Sequence, residues 1–473
     1  MLGTTGYRWS LGWYGVPVVV AVGLLLFTGY AGLNGQDAHD YLHISQSYSD
    51  WFLGGNRPVM VEHPHGFPFA GSVLAKIVGD ELMALRLLCA GALITIVVVM
   101  RRALIRVFGK DGSVDAFVLI GLALSPFLLR YSLIVLSDLP AIALMVIAFV
   151  CTCRWIEDGR VGRLLAAMLF SALACSVRFA AVPIVGVLAL AWIYGPQHGR
   201  RVRLIIGILG MVIGIVLMLI MLPPDRIAGM VALRPLEDLS VLNLFRRELI
   251  SDDGVLHYRF PNLVYVFSIV VHPGFIPIGL LLLPFVRRAD LGYTYAKLAL
   301  VIAIGYLLFV GCMPFQNDRV LLLAQPFVVL LLFPAFMRAW DFLGLKSINA
   351  KWVMVVIILV QSALFVRATL PFAQQADVER DLADRVIALG AVRVYTHGMG
   401  AAFRTYCPGV EVTELWYGEL SAFGSGAVIV VDEQNLFGQW QGRPPYINYE
   451  KAKEQGIDPV EIRRNGWVIS RVR

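Results

Sequence analysis

Long apolar runs separated by short polar segments dominate the chain. Eleven windows are apolar over about the twenty residues that a helix needs to cross a bilayer, and each predicts a transmembrane helix. Their approximate bounds are 12–33, 81–104, 115–134, 138–155, 162–178, 180–195, 203–222, 263–286, 293–312, 319–341 and 351–370. The windows 162–178 and 180–195 could also form one element kinked around Arg178 and Pro183. No small-residue cleavage site follows the first run, so we interpret it as a retained helix.

The composition agrees with this pattern. Of 473 residues, 58% are hydrophobic and 15% are charged, which excludes a water-soluble enzyme of this size and indicates a polytopic membrane protein. The net charge of +7 could indicate a nucleic-acid partner. However, Lys and Arg cluster in short loops, where they act as orientation signals, so we expect no nucleic-acid partner. The cysteine spacing predicts neither a disulfide framework nor a zinc site.

The positive charges of alternate loops predict the orientation. Under the eleven-helix count, five basic loops fall on one side of the membrane, which is therefore expected to be cytoplasmic. These loops contain Arg101, Arg154, Arg200, Arg287 and Arg338. The loops 34–80 and 223–262 and the segment 371–473 would then face the periplasm or exterior. We expect a multi-pass inner or plasma membrane protein, with a transmembrane domain over 1–370.

The segment 371–473 predicts a small extracytoplasmic α/β domain. "ADVERDLADRVIALG" has the pattern of an amphipathic helix, and "AVRVYTHG" and "GAVIVVDE" have that of buried strands. "VEIRRNGWVISRVR" predicts two strands joined by a turn at Asn465–Gly466. Gly398 and Gly400 resemble part of a dinucleotide loop, but the third glycine is missing, so we do not expect nucleotide binding.

Two clusters of ionisable residues occur in the loop 34–80. "QDAHDYLHIS" contains Asp37, His39, Asp40 and His43, and "VEHPHGFPF" contains Glu62, His63 and His65. On a helix that begins near Asp37, Asp37 and Asp40 share a face. Three interpretations stay open: a site for a divalent cation held by Asp37, Asp40 and His39, a general base, or a helix start with Asp37 as N-cap and Asp40 at N3.

Basic side chains near the outer ends of helices are candidate ligands of a lipid phosphate. An arginine presents a planar charged fork that matches phosphate oxygens, although snorkelling to head groups would also explain one at a helix end. The candidates are Arg130, Arg178, Arg259 and Arg319. Asp138 begins a helix in "SDLPAIAL". At that position, a structural role in capping the helix is at least as well supported as a catalytic role. The loop 223–262 is expected to form short surface helices that gate acceptor entry.

The chain resembles the GT-C superfamily of polyprenyl-phosphate-sugar-dependent glycosyltransferases over about residues 12–370. Within that superfamily it looks like the branch of the protein O-mannosyltransferases and the lipid A aminoarabinose transferases. The resemblance rests on "QDAHDY", on "VEHPHGFPFAGSVLAKIVGDELMALRLLCA", and on the later segments "YSLIVLSDLPAIAL", "ALACSVRFAAVPIVGVLAL" and "MPFQNDRVLLLAQPFVVLLLFPAF". It implies a mainly α, polytopic bundle of about eleven transmembrane helices.

The resemblance also implies roles for individual residues. Asp37 would be the catalytic acidic residue and Glu62 the second acidic residue of the loop, and His63 stands where relatives carry a phosphate-contacting Lys or His. This chain has "DAHD" where relatives have two adjacent acidic residues. Whether Asp40 takes part in catalysis with Asp37, and whether a metal ion is used, therefore stay open. Donor contacts are predicted at His63, His65, Arg130, Arg178, Arg259 and Arg319.

We therefore predict an integral-membrane glycosyltransferase, transferring a hexosyl or pentosyl group. It would move the sugar, with inversion, from a polyprenyl-phosphate donor to an extracytoplasmic glycolipid, polysaccharide or protein. The alternatives are a transporter or flippase of lipid-linked sugars and a non-catalytic binder of them. The internal repeats typical of many transporters are not found in the sequence, which favours the enzyme.

Overall fold

The structure of the chain is a computed structural model, and most of it is helical. It describes residues 14–56, 58, 63–109, 112–194, 207–208, 210, 212, 239–251, 254–344, 348–416, 418–462 and 466–473. Most of the predicted helix at 203–222 and all of the segment 223–238 lie outside these residues. The predicted turn residue Asn465 also lies outside them.

The first part of the described chain forms nine helices. They are α1 (Gly15–Thr28), α2 (Gly35–Phe52), α3 (Gly66–Val78), α4 (Glu81–Phe108), α5 (Gly112–Val118), α6 (Pro126–Leu133), α7 (Asp138–Asp158), α8 (Val161–Val177) and α9 (Pro183–Tyr194). A π-helical turn, Leu119–Ala123, separates α5 from α6, and a 3₁₀ turn, Phe179–Ala181, separates α8 from α9. The windows 162–178 and 180–195 are therefore two helices.

The second part continues with short elements and then with long helices. The short elements are a 3₁₀ turn (Val241–Phe245), β1 (Glu248–Ser251), β2 (Gly254–His257), α10 (Asn262–Tyr265), α11 (Ser268–Val271) and α12 (Gly279–Leu282). The long part comprises α13 (Thr294–Cys312), the short α14 (Asp318–Leu322), α15 (Gln325–Phe342) and α16 (Ile348–Ala388). Strands β1 and β2 form an antiparallel hairpin where the sequence predicted short helices.

The prediction of a single membrane-spanning helix at 263–286 is wrong. The chain forms three short helices there, α10 to α12, because Pro273 and Pro277 lack the amide hydrogen and clash with the preceding turn of a helix. The segment 263–286 is mostly apolar, so its mean hydropathy is that of a spanning helix. Mean hydropathy does not show where a proline interrupts the helix. The predicted count of eleven spanning helices is not established.

Several described helices are long and apolar enough to cross a bilayer. These are α4, α7, α13 and α16, and the bent pair of α5 with its π-turn and α6, at 56° to one another, can supply a further span. The interior of the bundle is a continuous apolar core around Phe117, Phe149 and Phe327, whereas Leu26 and Phe27 of α1 are 81% and 87% exposed. Exposed apolar side chains of this kind suit a lipid environment.

Helices α2 and α3 form the loop that carries both ionisable clusters. At Gly66, the first residue of α3, a Cβ atom would lie 2.6 Å from the backbone oxygen of Ser176, so only glycine allows α3 to approach the end of α8 this closely. Gly79 ends α3 with a φ of 85°, and the Asp80 side chain accepts from the amide of Met83 at the start of α4.

The C-terminal part contains a five-stranded mixed sheet. Its elements are β3 (Arg393–Thr396), α17 (Gly400–Tyr406), β4 (Glu411–Glu414), β5 (Val428–Asp432), α18 (Glu433–Gln439), α19 (Pro444–Gln455), β6 (Ile457–Ile462) and β7 (Trp467–Val472). The strand order is β4-β3-β5-β7-β6, with β3 parallel to β4 and β5, and β7 antiparallel to β5 and β6. The predicted strands are present, and β4 is an additional one.

Helix α16 connects the bundle to the sheet without a break. It runs through residue 370, where the sequence predicted the domain boundary, and includes the predicted amphipathic helix as its last turns. Its Glu379 is 2% exposed; one carboxylate oxygen accepts from the amide of Gly35 at 3.1 Å, and the other lies 3.2 Å from Nε2 of His39. The C-terminal part is thus anchored on the start of α2.

We expect Glu379→Ala to destabilise the protein by about 3–5 kcal/mol, because it leaves the imidazole of His39 and the amide of Gly35 without this buried partner. Glu379→Gln retains an acceptor for the amide of Gly35, so it should lower the free energy of unfolding by less than Glu379→Ala does. Thermal unfolding in detergent measures both. Asp377→Ala removes an exposed carboxylate from the same helix and is the control; equal losses in Glu379→Ala and Asp377→Ala would contradict the anchoring role.

Candidate active site

Helix α2 carries two half-exposed carboxylates one turn apart. The helix begins at Gly35 after Asn34, so Asp37 lies in its first turn and is not the N-cap that the sequence suggested as one interpretation. The exposed fractions of the Asp37 and Asp40 side chains are 34% and 31%. Both carboxylates can therefore be reached from outside the helix bundle.

Arg319, next to the start of α14, joins α2 to α7. Its Nη1 donates to Oδ2 of Asp37 at 2.6 Å, and its Nε donates to Oδ2 of Asp138 at 3.2 Å. The amide of Arg319 is itself fixed by the side-chain oxygen of Asn317 at 2.9 Å. One guanidinium thus bridges a half-exposed carboxylate and a fully buried one.

Asp138 organises the buried side of the site. It is 0% exposed, and its Oδ1 lies 3.1 Å from Nη2 of Arg178, which follows α8. Nη1 of Arg178 contacts the Ser137 hydroxyl at 3.4 Å, and that hydroxyl lies 2.8 Å from the hydroxyl of Tyr41 on α2. Asp138 thus engages two arginines instead of capping α7, and its burial suits a positioning role.

His63 lies against both accessible carboxylates. Its Nε2 is 3.6 Å from Oδ1 of Asp37 and 3.9 Å from Oδ2 of Asp40. The ring packs on Tyr41 at a centroid distance of 5.1 Å. Asp37, Asp40, His63, Arg178 and Arg319 were all singled out from the sequence, and the structure brings these five together.

Arg130 belongs to a second ion pair behind this cluster. Its Nη2 donates to Oδ2 of Asp318 at 2.6 Å and to the hydroxyl of Tyr131 at 2.7 Å, and Tyr131 donates to Oδ1 of Asp318 at 3.0 Å. The guanidinium also stacks over Phe127 and Phe372 at 4.5 and 4.6 Å. Because Asp318 precedes Arg319 directly, the two ion pairs are mechanically linked through α14.

The other predicted site residues are placed differently. His65 is buried and its Nδ1 contacts the hydroxyl of Tyr48, so it holds α2 and α3 together. Arg259 is exposed in the segment after β2 and stacks on Phe260 at 5.2 Å. Glu62 lies outside the described residues.

His39 does not share a ligand sphere with Asp37 and Asp40. It is 0% exposed and contacts Glu379 through Nε2 and the hydroxyl of Thr405 through Nδ1, at 2.8 Å. Residues one or two apart on a helix point in different directions, which explains why His39 is separated from Asp40 and Asp37. Within the part of the chain that the structure describes, no three His, Cys, Asp or Glu side chains group closely enough to hold a metal ion. The metal set suggested from the sequence is thus not assembled.

Helix α17 of the C-terminal part forms one wall of the site. The Arg404 guanidinium lies 3.5 Å from Oδ1 of Asp40 and is 44% exposed. The hydroxyl of Thr405 contacts Nε2 of His43 at 2.9 Å as well as His39. Glu414, at the end of β4, accepts from the amides of Gly400 at 2.7 Å and Gly398 at 3.3 Å and so fixes the start of α17.

The ionisation of Asp37 is controlled by its neighbours. Burial raises the pKa of its carboxyl, but the charges of Arg319, His63 and Arg178 and the hydrogen bond from Arg319 outweigh burial and hold the pKa below its usual value. Asp37 is consequently a carboxylate at neutral pH.

Sequence reasoning missed several supporting residues. Asp318 was visible as the acid directly before Arg319 in "QNDRV", and Asp138 was noted without a preference for function. Thr405 lies more than 360 residues along the chain from its partners on α2, with separations of 362 from His43 and 366 from His39, and Arg404 is its neighbour in the sequence. No local pattern signals a contact of that separation.

Several known proteins are similar to this chain in sequence or in fold. Residues 62–223 match the family model of dolichyl-phosphate-mannose-protein mannosyltransferase. The structure is similar to ArnT from Cupriavidus metallidurans in the apo state, with a TM-score of 0.59, 16% identity and coverage of 97% of both chains. It is also similar to that protein bound to undecaprenyl phosphate, with a TM-score of 0.57, 16% identity and coverage of 98% of both chains.

A further similar structure is the arabinofuranosyltransferase AftD from Mycobacteria, with a TM-score of 0.51 and 14% identity. The match covers 98% of this chain and 40% of AftD. No curated protein matches the chain by sequence. These likenesses confirm the resemblance and the predicted fold class: a mainly helical polytopic membrane protein of the GT-C type with a small C-terminal α/β part.

We expect Glu414 to make the stability of the C-terminal part depend on pH. Burial raises the pKa of its carboxyl from 4.5 to about 7, although the two glycine amides and Arg404 act in the opposite direction. Because the folded protein binds this proton more tightly than the unfolded chain does, protonation of Glu414 stabilises the folded state. This stabilisation is fully present below pH 4.5 and is lost as the pH rises through about 7. The loss is about 3 kcal/mol, from 1.36 kcal/mol for each pKa unit.

The melting temperature measured at several pH values between 5 and 8 should therefore fall with rising pH, and Glu414→Gln should flatten that fall. Glu411→Gln, in the same strand but with a side chain that is 58% exposed, should leave the pH dependence unchanged. A wild-type melting temperature that stays constant or rises over this range would show that Glu414 does not titrate there.

Proposed function

We propose that this chain, which has the GT-C glycosyltransferase fold, is an integral-membrane glycosyltransferase. It would move a sugar from a polyprenyl-phosphate donor to an extracytoplasmic acceptor with inversion at the anomeric carbon. The observation that carries this proposal is the half-exposed, ionised Asp37 held by Arg319 and adjoined by His63. A carboxylate next to a group of cations is the arrangement that such a transfer requires.

Asp37 is the proposed base. In a single displacement, the acceptor hydroxyl oxygen bonds to the anomeric carbon, the bond from that carbon to the phosphate oxygen breaks, and the hydroxyl proton passes to the carboxylate. A carboxylate of lowered pKa is a weak base, so the proton moves late, after the new bond has made the hydroxyl acidic. Asp40, one turn along α2, is the second accessible carboxylate and would help to orient the acceptor.

The cations would stabilise the departing phosphate. The electron pair of the broken bond passes to the phosphate oxygen, and arginine forks or an imidazolium bind such an oxyanion well in a site with little water. Arg178 and Arg319 are held in place by the buried Asp138, so both guanidiniums are oriented before the donor arrives. His63 adds a side chain that can donate from the more exposed side.

The bridging contact of Arg319 couples donor binding to base strength. A donor phosphate would compete with Asp37 for the Arg319 guanidinium, which lies 2.6 Å from the Asp37 carboxylate. As this contact weakens, the pKa of Asp37 rises, because the neighbouring Arg319 charge is one cause of its low value. The carboxylate thus becomes a better base when the leaving group is in place.

Support for the donor comes from the fold and from the membrane part. A structure of similar fold, ArnT, has been determined with undecaprenyl phosphate bound. The apolar helices that surround the cluster provide a path for a polyprenyl chain between them. The acceptor would approach on the side of Asp40, His63 and Arg404, where these side chains are 31%, 21% and 44% exposed.

We expect Asp37→Asn to abolish transfer, with a loss of at least about 100-fold, as for removal of a general base. Asparagine has the same shape and still accepts a hydrogen bond from Arg319, so folding and binding of undecaprenyl phosphate should persist. The measurement is mass spectrometry of lipid-linked sugars and surface glycans in a strain that lacks the chain and carries the variant. Donor should accumulate, and the modification should be absent.

Asp50→Asn is the matched control, since Asp50 is exposed near the other end of α2. This variant should restore the modification fully. If Asp37→Asn also restored it fully, Asp37 would not be the base. Normal folding and lipid binding without any transfer by the wild-type chain would instead favour a transporter or a non-catalytic binder.

We expect His63→Ala to impair use of the donor more than use of the acceptor, because the imidazole lies beside Asp37, the carboxylate that contacts Arg319. With the sugar and acceptor that the mass spectrometry identifies, steady-state kinetics with each substrate varied in turn measure the two effects. The donor KM should rise or the rate fall by about 10-fold, the effect of one charge-assisted hydrogen bond. An unchanged donor KM and rate would refute this role.

A further inference from the structure

A groove lies between α1 and α4 at the end of these helices that is remote from the candidate site. It encloses a cavity of about 390 Å³ and is lined by Val18 of α1 and by Ile94, Val97 and Val98 of α4. Val18 and Ile94 are 57% and 61% exposed, so its walls are open and apolar. The groove exists because α1 packs on α6 and α16, with Pro17, Ala21 and Leu24 buried, and leaves its other side free.

The groove has the length of one membrane leaflet. Its lining on α4 runs from Leu93 to Arg102, which at 1.5 Å per residue is about 14 Å. The hydrocarbon core of a bilayer is about 30 Å thick, so this is close to half of it. Helix α4 begins at Glu81 beside the loop of α2 and α3, and the groove ends at the opposite end of the helix. It therefore opens to the leaflet away from the candidate site.

Two adjacent arginines at the mouth of the groove have different surroundings. Arg101 is neutralised by Asp115, with Nε to Oδ1 at 2.5 Å and Nη2 to Oδ2 at 3.3 Å. The Tyr14 hydroxyl donates to the backbone oxygen of Asp115 at 3.2 Å and closes that side. Arg102 is exposed and has no carboxylate partner among the described residues. Among the described residues, Arg102 is thus a positive charge at the mouth that no carboxylate neutralises.

We propose that this groove binds one anionic phospholipid, with an acyl chain along Ile94 and Val98 and its phosphate group on Arg102. An apolar channel one leaflet long accepts a single acyl chain of that leaflet. A guanidinium at the head-group end that pairs with no carboxylate among the residues described complements a negatively charged head group. The site is separate from the proposed transfer chemistry and does not depend on it.

The experiment is native mass spectrometry of the full chain, released from nanodiscs that contain equal amounts of phosphatidylglycerol and phosphatidylcholine. The wild-type chain should retain one phosphatidylglycerol in preference to phosphatidylcholine. Arg102→Ala should weaken that retention about fivefold, the effect of one basic residue at an anionic membrane surface. Arg102→Lys should keep most of it, because the charge remains. Val98→Trp, which fills the groove, should reduce retention of either lipid.

Arg288→Ala is the control, since Arg288 is exposed in a segment outside the groove and its removal changes the net charge equally. Equal losses in Arg102→Ala and Arg288→Ala would overturn the proposal, as would undiminished lipid retention in Val98→Trp. Retention of phosphatidylcholine alone would also overturn it. Competition by added undecaprenyl phosphate that is insensitive to Arg102→Ala would assign the groove to a polyprenyl chain instead.

Discussion

The contact of Arg319 with Asp37 and Asp138 holds the candidate site together. One guanidinium joins an accessible carboxylate on the loop helix α2 to a buried carboxylate at the start of α7, and it lies on a third element, α14. Removing a charge from such a group leaves its partner without compensation in a medium of low polarity, which is costly. The positions of three elements are therefore fixed by electrostatics at the point where the chemistry is proposed.

The sequence was a good guide where hydrophobic length or local pattern determines structure. The long runs at 81–104 and 293–312 became α4 and α13, and the strand patterns predicted after residue 390 became β3, β5 and β7. The pattern failed at 263–286, because Pro273 and Pro277 interrupt a run whose composition is that of a spanning helix. The hydropathy of a segment indicates whether it can be buried in a bilayer. It does not indicate whether the backbone of that segment can form the hydrogen bonds of a continuous helix.

The site was partly predictable for a related reason. Charged residues in an apolar chain are few, so Asp37, His63, Arg178 and Arg319 could be singled out one by one. Their partners could not be assigned from the sequence, because an ion pair such as that of Arg319 with Asp37 spans 282 residues. His39 shows the limit clearly: its chemistry suited a metal ligand, but tertiary packing turned it towards Glu379 and Thr405.

Helix α16 determines how the C-terminal part is oriented on the bundle. Its 41 residues form one helix of about 60 Å, so the sheet is connected to the bundle by a continuous helix and not by a loop. The orientation of the sheet then depends on helical phase. One residue added to α16 between the bundle and Glu379 would lift the sheet by about 1.5 Å and rotate it by about 100° about the helix axis. Arg404 and Thr405 would then face away from α2, although every residue of both parts would still be present.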